Sequence, residues 1–247
     1  MADHDTSHTA ELTEWAHGVT ASRAGHLAFR LVVGLINLIL KPFLRFTVEG
    51  LDNMATPGPL IVAPVHRSNL DAALLGATSP RRLRALAKDT MFKKRKGPGW
   101  LFAALGAYPV RRGAADREAL VASEKLLERG ECLLVFPEGT RGSGPEVGEL
   151  FDGPAFLAAR TRAKVVPVGI AGTEEALPSG AKKLRRRKVS VIVGEPIDPP
   201  GDGTGRVSLP ARRRWTAELS AELQRLFDIA IADAGAYRGH GRGHTDS

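Results

Sequence analysis

From Pro42 onward the chain alternates short apolar runs with segments of helical period, a pattern that restricts it to an α/β sheet covered by helices. The expected strands are Phe46 to Glu49, Leu60 to Pro64, Leu83 to Ala87, Tyr108 to Val110, Cys132 to Phe136, Val165 to Ile170 and Val189 to Val193. Helices should fill the gaps. The clearest spans 116 to 129, with Asp116 as N-cap, Leu120, Leu126 and Leu127 as its apolar stripe and Gly130 as its stop. Another begins near Pro154, because proline is tolerated in a first turn. A last helix, about 210 to 232, carries Trp215, Leu219, Leu223, Leu226, Phe227 and Ile231 at three- and four-residue spacing. The 247 residues, 43% of them hydrophobic, suffice for one large domain with a substantial core. The expected fold is therefore a single α/β domain, residues 47–234, around a central mixed sheet.

Three segments fall outside that domain. Residues 1–22 are polar without a sustained period and read as mobile or as a loose leading helix. Residues 23–46 carry Leu27, Phe29, Leu31, Val32, Val33, Leu35, Ile36, Leu38, Ile39, Leu40, Phe43, Leu44 and Phe46. From Gly25 on, their only charges are Arg30, Lys41 and Arg45. The uncharged run Leu31 to Leu40 is half the ~20 residues a spanning helix needs, so a membrane-contacting interfacial helix fits better. A core helix packed on the domain has the same periodicity. The glycine-rich end, residues 235–247, lacks the apolar surface to order itself and reads as a disordered tail.

Charge narrows the partners. Thirty-five Lys and Arg face 27 acids, giving a net charge of +8, and the sequence pI is near 10.0. Such a surface attracts polyanions, nucleic acid or anionic lipid. The cations cluster at Arg81-Arg82-Leu83-Arg84, Lys93-Lys94-Arg95-Lys96, Lys182 to Lys188 and Arg212-Arg213-Arg214; any one cluster also reads as a solvated face. Three Trp and two Tyr, not interleaved with these charges, argue against a base-stacking groove. A single cysteine excludes an internal disulfide and suits a reducing compartment, and the acidic, polar start lacks the pattern of a secretory signal.

The residues fit for chemistry lie at strand ends. His66 and Asp71 follow the apolar run Leu60 to Ala63, and Ala72 to Leu75 then begins a helix after Ser68 or Asn69 as N-cap. An imidazole with a carboxylate five residues on is a general base with an orienting partner. Asp71 equally reads as part of a capping box, and the two roles are compatible. Phe136-Pro137-Glu138-Gly139-Thr140-Arg141 follows a second apolar strand. There Gly139 permits close backbone approach, Thr140 and Arg141 can donate to a phosphate, and Glu138 can accept from a hydroxyl or fix an arginine. Arg111 and Arg112, beside the Tyr108 strand, suit bidentate recognition of phosphate. A structural ion pair is the plain alternative for each charge. His66, Asp71 and Glu138 would also be the donors of a zinc or magnesium hydrolase, although no Cys/His clusters show zinc-ligand spacing.

Taken together, these segments resemble the glycerolipid acyltransferases, the HxxxxD family whose bacterial members make phosphatidic acid from lysophosphatidic acid. The likeness covers roughly residues 45–195. It rests on His66 to Asp71, on Tyr108-Pro109-Val110-Arg111-Arg112-Gly113, on Phe136 to Arg141, and on Val165-Val166-Pro167-Val168-Gly169-Ile170. The resemblance further implies that Lys88 meets the phosphate with Arg111, Arg112 and Arg141, and that Val166, Pro167 and Val168 form an acyl-chain or structural motif. It implies direct transfer with no acyl-enzyme, which leaves Cys132 as buried filler. One departure is Phe151-Asp152-Gly153, where many members carry Phe-Lys before the Gly. The implied enzyme is like a 1-acylglycerol-3-phosphate O-acyltransferase, peripheral or monotopic at the cytoplasmic face of the plasma membrane. It would use no metal and no cofactor beyond an acyl thioester cosubstrate on coenzyme A or acyl carrier protein. Its partners would be an anionic membrane surface and a lysophospholipid, and not nucleic acid. The rivals are transfer to glycerol 3-phosphate or another lipid acceptor and, from another class, a non-catalytic basic module binding anionic lipid.

Overall fold

A computed structural model of the chain describes residues 3–92, 95–110, 115–201 and 207–237. Seven strands form one mixed sheet: β1 (Thr47–Glu49), β2 (Leu60–Pro64), β3 (Leu83–Lys88), β4 (Ala107–Val110), β5 (Cys132–Leu134), β6 (Lys164–Ala171) and β7 (Ser190–Val193). Each expected strand is present, though the Cys132 run stops at Leu134. The order across the sheet is β1-β7-β6-β2-β5-β3-β4. β2 to β6 run parallel, β7 pairs antiparallel with β6, and β1 is parallel to β7. The carboxyl ends of β2, β3, β4, β5 and β6 therefore open on one edge. Strands β2, β5 and β7 are buried along their whole length, as expected where helices cover a sheet.

The first helices are α1 (Asp3–Ala21) and α2 (Arg23–Leu35). A π-helical turn, Ile36–Leu40, and α3 (Lys41–Phe43) continue α2 without a break. Then follow α4 (Leu70–Thr78), α5 (Pro98–Ala104), α6 (Ala115–Glu128), α7 (Gly153–Thr161), the single turn α8 (Thr173–Ala176) and α9 (Leu209–Ala234). Helix α6 already includes Asp116 in its first turn, so that residue does not precede the helix. Helix α9 lies on β6 and β7. It starts at Ser208, whose Oγ accepts the Ala211 N–H, and it buries Trp215, Leu219, Leu223, Leu226 and Phe227. The approach is close. A Cβ on Gly169 of β6 would sit 2.4 Å from the Leu226 carbonyl, so glycine is required at that crossing.

Both termini depart from the expectations. Helix α1 is not loose: Leu12, Ala16 and Val19 are buried with Phe92, Ala103 and Ala104, and the Thr20 hydroxyl contacts the Ala103 carbonyl oxygen at 2.7 Å. Small residues at this contact give a weak sequence signal, which hid the packing. At the other end Gly235 closes α9 in a left-handed conformation, Ala236 is buried, and Tyr237 sets its ring edge against Phe227. Residues 238–247 of the expected tail lie outside the described residues.

The apolar N-terminal helix has two faces. Ala28, Ile36 and Leu40 pack on the domain. Leu27, Leu31, Leu35, Leu38, Ile39 and Phe43 are exposed, Leu38 to 77%. The span Arg23–Phe43 is 21 residues and is long and apolar enough to cross a bilayer by length and composition. The shorter expectation counted only the uncharged run, whereas the helix continues past Arg30 and Lys41.

Burial and the neighbouring Glu174 and Glu175 push the Tyr237 phenol well above its ordinary value, so the folded state keeps a proton that the unfolded state loses near pH ~10. The unfolded chain then binds fewer protons, and stability falls as pH rises past that point. Thermal melts between pH 8 and 11 should show a wild-type decline that Tyr237→Phe reduces.

Candidate active site

Between β2 and β5 the chain leaves in opposite directions: β2 leads through α4 to β3, whereas β5 leads through α7 to β6 on the other side. Crevices form at the carboxyl ends of such strand pairs. The loops after both strands meet there. The loop after β2 presents His66, and the loop after β5 presents Phe136 and Glu138. The His66 and Phe136 rings stack, with centroids 3.7 Å apart and planes 21° from parallel.

His66 Nδ1 lies 2.9 Å from Asp71 Oδ2, and the imidazole is 17% exposed while Asp71 is fully buried. The same carboxylate oxygen accepts the backbone N–H of Arg67 at 2.7 Å and of Ser68 at 2.8 Å. Asp71 thus holds the ring and fixes the turn that leads into α4, although the bonds of a capping box to the N-cap residue Asn69 are not formed. Because a carboxylate accepts, a neutral imidazole here carries its proton on Nδ1, which leaves the lone pair on Nε2. Oδ1 is buried and has no hydrogen-bond partner among the described residues.

Glu138 takes the second of the two roles open to it and fixes an arginine. Its carboxylate accepts two 2.9 Å hydrogen bonds from Arg67 Nη1, with both side chains almost fully buried. It also accepts the N–H of His66 at 3.0 Å and of Gly148 at 2.9 Å. Arg67 in turn donates to the carbonyl oxygens of His66, Gly144 and Glu146 at 2.9, 3.2 and 2.7 Å, and its guanidinium lies over the Phe227 ring. One buried ion pair therefore ties the β2 loop, the β5 loop, the segment 142–148 and α9 together. A Cβ on Gly142 would stand 2.6 Å from Arg67 Nη1, which reserves that position for glycine.

Sequence reading did not single out Arg67. The signal available was its place beside His66, with an acid at a neighbouring strand end, and nothing local distinguishes a buried arginine from an exposed one. Gln224 was also missed: it accepts the Val147 N–H at 2.8 Å and donates to the Pro145 carbonyl at 3.0 Å, anchoring the glycine-rich loop to α9.

The candidate phosphate-binding residues that the structure describes fall on the same edge. Gly139, Thr140 and Arg141 are exposed, as is Lys88 at the end of β3. Arg111 and Arg112 lie outside the described residues; Val110, immediately before them, is in register with Lys88. Val166, Pro167 and Val168 lie inside the sheet, paired with Val62, Ala63 and Pro64. Asp152 meets the Thr216 hydroxyl at 3.3 Å, so the departure from the Phe-Lys pattern places an acid next to α9. Cys132 is buried, and burial pushes its thiol up to about 12, well outside the range of a reactive thiolate.

Known proteins share parts of this sequence and this fold. A family model described as Acyltransferase matches residues 45–171. The 1-acyl-sn-glycerol-3-phosphate acyltransferase of Bacillus subtilis is 28% identical over 203 residues, 81% of this chain and 96% of that protein. The chloroplastic 1-acyl-sn-glycerol-3-phosphate acyltransferase of Arabidopsis thaliana is 29% identical over 171 residues, 65% of this chain and 46% of that protein. The chain spans about half the length of the chloroplastic relatives. Among solved structures, the 1-acyl-sn-glycerophosphate acyltransferase PlsC of Thermotoga maritima shares the fold, with a TM-score of 0.59 and 24% identity over 90% of this chain and 97% of that one.

Arg67→Met should cost about 3–5 kcal/mol, because Glu138 would remain buried without its counter-charge. Chemical denaturation should show part of that loss recovered when Glu138→Gln is added.

Proposed function

Because this chain belongs to the acyltransferase family, we propose that it moves a fatty acyl chain from an acyl thioester to the free hydroxyl of lysophosphatidic acid, giving phosphatidic acid. The observation that carries the reading is the 2.9 Å contact between His66 Nδ1 and the buried Asp71, made where the β2 and β5 loops meet. The curated relatives named above support the choice of acceptor.

An alcohol is a poor nucleophile at neutral pH, so its proton must leave as it attacks. His66 Nε2 takes that proton, and Asp71 holds the ring and stabilises the imidazolium that forms. The oxygen attacks the thioester carbonyl, the C–S bond breaks, and the imidazolium returns the proton to the departing sulfur. Lys88, Arg111, Arg112, Thr140 and Arg141 grip the acceptor's phosphate and bring its hydroxyl to His66, a positional contribution. Gly139 leaves room for the ligand beside the loop backbone. Glu138 acts one layer back, through Arg67. Coenzyme A or acyl carrier protein delivers the acyl chain, and the exposed stripe of α2 and α3 holds the enzyme at the cytoplasmic leaflet, where lysophosphatidic acid resides.

With a labelled acyl thioester and lysophosphatidic acid, the protein should release thiol and form phosphatidic acid. His66→Ala should lower turnover by ~10²–10⁴-fold, the usual contribution of a general base; wild-type turnover in that variant would refute the mechanism. Arg111→Ala should raise KM for phosphorylated acceptors and leave those without phosphate nearly unaffected, as measured across an acceptor panel.

A further inference from the structure

Away from the β2–β5 crevice, a cavity of about 380 Å³ opens between the end of β6, the end of α9 and the turn that follows α3. Arg45, Arg187 and Lys188 line it, together with Glu175, Gly172 and the backbone around Gly235. Lys188 is already paired with Asp233 at 2.6 Å. Arg45 and Arg187 have no acidic partner among the described residues.

The backbone at Arg45 is the second observation. The Arg45 N–H donates to Pro42 O and the Phe46 N–H to Lys41 O, the bond pair that ends a helix with its next residue in the left-handed region. Arg45 has φ +46°, in a place where glycine is the relaxed choice. An arginine there gives up backbone ease and gains a side chain aimed from the end of the apolar helix. Two residues earlier the exposed apolar stripe ends at Phe43. If that stripe meets lipid, the cavity lies at headgroup depth.

We propose that this cavity is a second anion site, separate from the acceptor site, which seats the phosphoglycerol headgroup of a membrane phospholipid. The two guanidiniums of Arg45 and Arg187 take the phosphodiester, the geometry for which arginine is suited. Glu175 Oε1 accepts the Tyr237 N–H at 3.0 Å, while its Oε2 has no hydrogen-bond partner among the described residues and can accept from a headgroup hydroxyl. The site rests on the membrane placement proposed above and not on the acyl-transfer reaction.

Co-sedimentation of the full chain with vesicles tests it without reference to turnover. Binding to phosphatidylcholine vesicles reports the apolar stripe alone; its absence would remove the membrane placement and with it this proposal. Added phosphatidylglycerol should tighten binding, and the tightening should fall roughly fivefold for each of Arg45→Gly and Arg187→Ala, the equivalent of about 1 kcal/mol per cation. Arg45→Gly relaxes the turn, so its melting temperature should hold or rise, which separates lost binding from lost fold. Lys182→Ala with Lys183→Ala, an equal loss of charge outside the cavity, should cost much less. Phosphatidylmethanol, an anionic diester with no headgroup hydroxyl, should bind more weakly than phosphatidylglycerol. Equal losses in the cavity pair and the control pair, or equal binding of the two anionic lipids, would overturn the proposal.

Discussion

The buried pair Arg67 and Glu138 is the contact on which the rest of the site depends. Taking two charges out of water is costly, and the cost is offset only when every donor and acceptor finds a partner. Here both side chains meet that condition. Glu138 receives the Arg67 guanidinium and two backbone N–H groups, and Arg67 reaches three carbonyl oxygens as well as the carboxylate. The pair adds little net stability over a well-packed apolar substitute. What it supplies is position: the backbone of His66 is held from one side by Glu138 and from the other by Arg67, while Asp71 holds its ring.

The sheet makes that contact possible. Strand β5 inserts between β2 and β3, so two loops that are 72 residues apart in sequence, those of His66 and Glu138, emerge side by side. Helix α9 then completes the assembly from the far end of the chain. Phe227 lies under the Arg67 guanidinium and Gln224 pins the segment after Gly142. The glycines of that segment would lose much backbone entropy on ordering, and the hydrogen bonds from Arg67, Glu138 and Gln224 offset that loss.

Much of this was legible in the sequence because it is local. Short apolar runs and their periodicity marked every strand and helices α6, α7 and α9, and the spacing from His66 to Asp71 foretold a contact made within one turn. What escaped was long-range. Nothing next to Arg67 shows that it is buried, since its partners come from residues 138, 144, 146 and 227. The packing of α1 escaped for a related reason: Ala16, Val19 and Ala103 are small, and a contact built on close approach leaves little hydrophobic signal. The extent of the apolar helix was underread because single charges at Arg30 and Lys41 interrupt the run without interrupting the helix.

The stack of His66 on Phe136 bears on how a proton travels. One face of the imidazole lies 3.7 Å from another ring and Nδ1 is tied to Asp71, so the side chain cannot turn over to exchange its nitrogens. In the proposed transfer a proton that arrives on Nε2 must leave from Nε2. The attacking oxygen and the departing sulfur then have to visit the same atom in succession, and the substrates, rather than the catalyst, make the movement between the two steps. On that proposal the site is a single doorway for protons, and its inventory would close within one turnover.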